Sequence, residues 1–128
     1  IGYATWALLL GASIVSWRTV LTLTGQNKAN EFPGGEKHGS ESYWRLNRAH
    51  ANTVENLPIF GALIFGAWAA DAVTPLVDGF AQWALLLRLG QTIFHVTSGS
   101  VPAVMLRVTA LLGQYVCFAA IAYLVVFA

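Results

Sequence analysis

The stretch Arg45–Pro58, RLNRAHANTVENLP, decides the reading of this chain. It concentrates Arg45, Arg48, His50, Asn52 and Glu55 at the head of a long apolar run. The surrounding chain has little charge to spare. It is 56% hydrophobic and 10% charged over 128 residues, with a mean hydropathy of +0.59. A soluble domain carries about 25% charged residues. Polar groups packed into one place in such a chain call for a physical reason.

Working outward, a helix that crosses a bilayer needs about 20 mostly apolar residues. Four segments meet that requirement, at about 2–24, 43–70, 80–98 and 102–128. The expectation is an all-α, integral-membrane four-helix bundle in one domain. Residues 25–42, GQNKANEFPGGEKHGSES, form a polar loop with turn signals at Pro33-Gly34-Gly35. Residues 71–78, DAVTPLVD, read as a short turn with acids at both ends, and residues 98–102, SGSVP, as a tight connection. Lysine and arginine mark the cytoplasmic side of a membrane protein. Lys28, Lys37, Arg45, Arg48 and Arg107 gather at one end, whereas Asp71 and Asp78 sit at the other. The first loop and the 98–102 turn therefore face the cytoplasm, and both termini face away.

Some classes are set aside by composition. A net charge of +1 does not supply the basic stripe of a nucleic-acid binder. The lone Cys117 excludes an internal disulfide and reads as a small buried hydrophobe. The histidines lack ligand spacing, so no metal site is expected. The chain starts at Ile1 rather than Met, which reads as a trimmed terminus. No small-residue cleavage site follows the first apolar run, so a signal peptide is not expected.

At about 100° per residue, Arg45, Arg48, Asn52 and Glu55 fall in one helical stripe roughly 80° wide. His50 lies on the opposite face, as a packing or interhelical residue. By the same arithmetic Arg88, Gln91 and His95 share a face of the third segment, and Arg107 and Gln114 share one of the fourth. Ionisable groups inside a span face the bundle interior or a wet cavity. Bringing the three faces together gives a cationic pocket of Arg45, Arg48, Arg88 and Arg107, with Glu55 as partial counter-charge. An excess of arginine over carboxylate implies an anionic ligand, because the guanidinium fork pairs carboxylates and stays charged. Plainer readings stand beside this one. Arg45, Arg48 and Arg107 serve equally as interfacial anchors, and Arg88 with Glu55 as a structural ion pair.

The pattern Arg48-Ala-His50-x-Asn52-x-x-Glu55-x-x-Pro58 at the head of the second span resembles the signature of the MAPEG family. These are the membrane-associated proteins of eicosanoid and glutathione metabolism. The resemblance implies a four-helix protomer assembled as a homotrimer. It also implies glutathione bound between protomers, and a glutathione-dependent transferase or peroxidase acting on hydrophobic electrophiles or lipid hydroperoxides. Arg45, Arg48, Asn52, Glu55, Arg88 and Gln91 would bind glutathione, with Glu55 at its amino group and the arginines at its carboxylates. Arg107 matches the arginine beside the glutathione sulfur. His95 stands where members commonly carry a tyrosine, and with Arg107 makes the catalytic pair. The family also implies an alternative, a non-catalytic member that binds a lipid or a partner protein.

Overall fold

The structure, a computed structural model, describes residues 1–127. Four helices follow in chain order: α1 Gly2–Leu23, α2 Glu41–Ala69, α3 Pro75–Thr97 and α4 Val101–Val126. Two of the starts, those of α2 and α3, carry a side-chain cap. Ser40 caps α2, its hydroxyl accepting from the Tyr43 N–H at 3.2 Å. The preceding Gly39 has φ +71°, and a Cβ there would lie 3.0 Å from the Tyr43 ring, so this entry turn requires glycine. Lys37 pairs with Glu41 in the first turn of α2 and holds its carboxyl below the ordinary carboxylate range. Replacing Ser40 with alanine is expected to cost about 1 kcal/mol. A thermal melt in detergent would read this as a lowered midpoint, and an unchanged midpoint would remove the cap from the account.

The third helix begins at Pro75, not near residue 80. The Thr74 hydroxyl accepts from the Val77 N–H, and Pro75 fills the first helical position, where its missing N–H is harmless. Asp78 thus sits in the first turn of α3, at the favourable end of the helix dipole. The expected 71–78 turn shrinks accordingly. It opens at Asp71, whose φ of 54° ends α2 in a left-handed step. Within α2 the helix runs on through Pro58, which leaves the Val54 carbonyl without its usual helical partner.

The most extensive packing is between α3 and α4, with α2 lying against α1 and α3. One apolar cluster joins Tyr3, Phe60, Ala84, Cys117, Phe118 and Ile121. A second joins Leu10, Ile14, Tyr43 and Leu46. Cys117 is buried in the first, as a small hydrophobe. His50 turns away from the polar stripe toward α1, where Gly11 makes room for it. A Cβ on Gly11 would stand 3.2 Å from the imidazole. Arg18 ties α1 to α2, donating from Nε to the Tyr43 hydroxyl at 2.6 Å and lying over the Phe32 ring.

The outward surface is apolar. Leu8, Phe65, Trp68, Trp83 and Val116 are each at least 60% exposed. An apolar exterior on this scale suits lipid rather than water. Two helices, α1 and α4, are long and apolar enough on their own to cross a membrane.

Candidate functional site

The N-terminal half of α2, the C-terminal half of α3 and the N-terminal half of α4 meet at one end of the bundle. They enclose a pocket of about 310 Å³. Its polar wall is Arg48, Asn52, Gln91, His95 and Arg107, and its apolar wall is Val104, Val108 and Leu111. Five of the eight residues expected at the site therefore converge on one cavity.

The other three do not line it. Arg45 lies against the α3–α4 turn, where a Cβ on Gly99 would come within 2.9 Å of its guanidinium. Glu55 is exposed and lies beyond the pocket's lining. The reason is length. Arg45 and Glu55 are ten residues apart, about 15 Å along a helix. A stripe that long overruns the pocket at both ends. Arg88 lies in the core behind the pocket, 1% exposed. It does not pair with Glu55. Among the described residues the single ion pair is Lys37–Glu41.

Arg88 reaches the pocket through other residues. Its Nε donates to the Tyr3 hydroxyl at 2.7 Å. Arginine only donates, so the Tyr3 oxygen must accept, and the Tyr3 hydrogen goes to Gln114 Oε1 at 3.3 Å. Gln114 Nε2 in turn donates to the Ala110 carbonyl at 3.1 Å and to Gln91 Oε1 at 3.0 Å. The Ala110 carbonyl accepts only, which fixes the orientation of Gln114 independently. With its oxygen engaged, Gln91 has its NH2 group left for the pocket. The helix-face pattern shows Gln114 but not Tyr3. One tyrosine in an apolar run carries no signal of a hydrogen bond across the bundle. Among the described residues Arg88 Nη2 is buried without a partner.

At the pocket itself Arg107 Nη1 donates to His95 Nδ1 at 3.2 Å. That bond requires a bare lone pair on Nδ1, so the ring carries its proton on Nε2. Nε2 faces the Asn52 side-chain amide at 3.3 Å. The Asn52 amide must then turn its oxygen to the ring, an assignment made by the network rather than by position. Both nitrogens of His95 are thus engaged by protein. What the pocket presents to a ligand is donors: the guanidiniums of Arg48 and Arg107 and the amide of Gln91. No carboxylate lines it. A larger apolar groove of about 630 Å³ at the opposite end, bordered by Tyr3, Phe60, Ile64 and Trp68, has no arginine.

A four-helix bundle with an apolar exterior and two arginines lining an inner pocket has the character of a membrane protein. The chain belongs to the MAPEG family, whose model matches residues 1–127. No curated protein matches it.

Proposed function

We propose that this chain is a multi-pass membrane protein that binds glutathione in the pocket between α2, α3 and α4. In this reading it serves as a glutathione-dependent transferase or peroxidase for hydrophobic electrophiles or lipid hydroperoxides. The observation that carries the proposal is the donor-only polar lining: two guanidiniums and an oriented amide, with no carboxylate to neutralise them. Family membership supports glutathione as the anion. Bound there, glutathione supplies a thiol that adds to an electrophilic carbon or is oxidised by a hydroperoxide.

The roles follow from the chemistry of each residue. Arg48 pairs a glutathione carboxylate through its planar fork. Gln91 donates to a second acceptor. Arg107 stands by the sulfur. A free thiol has a pKa of about 8.5, and the thiolate is the nucleophile. An adjacent guanidinium favours the anion, so Arg107 raises the reactive fraction at neutral pH. Val104, Val108 and Leu111 form the side from which a hydrophobic substrate approaches. Glu55, exposed beyond the pocket, meets the glutathione amino group of a neighbouring copy in a homotrimer. The arginine-rich end is the cytoplasmic one, by the excess of lysine and arginine there.

Arg48→Ala is expected to weaken glutathione binding by about tenfold or more, the worth of one hydrogen bond to a charged group. Titration calorimetry in detergent checks this, and unchanged affinity would remove Arg48 from the site. Glu55→Ala should weaken binding only in the assembled oligomer. The second reading, a non-catalytic lipid- or partner-binding member, draws on one feature. His95 replaces the usual tyrosine and offers no free ring nitrogen to a sulfur. Binding without thiolate formation would favour it.

A further inference from the structure

We propose that His95 is a positioning residue: a neutral imidazole, braced by Asn52, that fixes the guanidinium of Arg107. The proposal rests on the glutathione reading for its consequence but not for its geometry. Arg107 sits on α4, and its long side chain has several rotatable bonds. Among the described residues its one side-chain hydrogen bond is to His95 Nδ1, at 3.2 Å. His95 in turn spans from α4 to α2, with Asn52 at 3.3 Å on its far nitrogen. The histidine therefore joins three helices around one guanidinium. It takes up one edge of that guanidinium and leaves the other nitrogens for the ligand.

A tyrosine at this position would offer a hydroxyl to the ligand. His95 instead spends both nitrogens on the protein. Its contribution reaches the sulfur through Arg107. Such an arrangement has a specific failure mode. The charged groups near His95 are Arg107 on α4, Arg48 across the pocket on α2, and Arg45 farther along α2 against the α3–α4 turn. A second proton on the ring would remove the Nδ1 lone pair and set a fourth positive charge among three guanidiniums. Arg107 would be released and repelled. Acidification thus uncouples Arg107 by protonating a residue that does not itself touch the ligand.

The test uses the full chain in detergent, with nitrogen-labelled histidine. The nuclear resonance of His95 should report a bare Nδ1 and a protonated Nε2 at neutral pH. The Nδ1 signal should shift in Arg107→Gln. A reversed tautomer, or no response to Arg107→Gln, would overturn the proposal even if glutathione never binds. The functional arm compares His95→Leu with His95→Gln, whose carbonyl keeps an acceptor for Arg107. His95→Leu should lower kcat about tenfold or more while KM for glutathione moves by about threefold or less. His95→Gln should recover much of the loss and move the acid limb of the kcat profile to lower pH. Equal kcat in both variants and wild type would overturn the positioning role. A wild-type chain that shows the predicted tautomer but binds no glutathione would instead sink the proposed function and leave the tether standing.

Discussion

Arg107→Ala is expected to lower turnover by about 100-fold or more, the worth of one preorganised donor at a developing negative charge. Glutathione affinity should fall far less, because Arg48 and Gln91 still hold the tripeptide. The split follows from where the charge is used. A carboxylate is charged before and after binding, so Arg48 acts on the ground state. The thiol becomes an anion only when its proton leaves, so Arg107 acts on that step. Arg107→Lys should land between wild type and alanine. It keeps the charge, but a lysine ammonium cannot hold His95 with one nitrogen and the sulfur with another. Stopped-flow thiolate absorbance and steady-state kinetics check this together. Equal losses in affinity and turnover would make Arg107 a second carboxylate ligand instead.

The second large effect concerns Arg88, which touches no ligand. Arg88→Met keeps most of the volume and removes the charge. The lost hydrogen bond to Tyr3 is worth about 1.5–3 kcal/mol. Against it stands relief from burying a cation that has no carboxylate partner and one orphaned nitrogen. A buried charge without a counter-ion carries a desolvation cost, which an apolar side chain of similar volume removes and which offsets the lost bond. The thermal midpoint should therefore hold or rise. Glutathione affinity should nonetheless fall by about tenfold, on the scale of one lost hydrogen bond to a charged group. Without Arg88 the Tyr3 hydroxyl can reverse, and Gln114, still oriented by the Ala110 carbonyl, loses the Tyr3 contact that helps hold it and Gln91 in place. Stability kept and affinity lost is the expected signature. A collapse of the fold with no separate binding defect would make Arg88 purely structural.

Much of this was legible in residue spacing. The stripe on α2 foretold Arg48 and Asn52 in the pocket, the face shared on α3 foretold Gln91 and His95, and His50 was read correctly as pointing elsewhere. Helical phase gives direction around an axis, however, and says nothing of depth along it. That is why Arg45 and Glu55, in phase with Arg48, overrun the cavity. Depth also separates Arg88 from Gln91 and His95, although all three share a face. The start of α3 had a readable signal in Thr74-Pro75. Hydropathy obscured it, because Asp78 and Gly79 interrupt the apolar run just where the helix begins. Tyr3 had no signal at all. Its role depends on a partner 85 residues away.

The pocket is expected to bind glutathione and to hold its sulfur as a thiolate. The most direct measurement is glutathione binding to the purified protein in detergent, followed by the ultraviolet thiolate absorbance of the complex at neutral pH. Saturable binding is expected, with a thiolate signal that disappears in Arg107→Ala. No binding at millimolar glutathione would contradict this expectation.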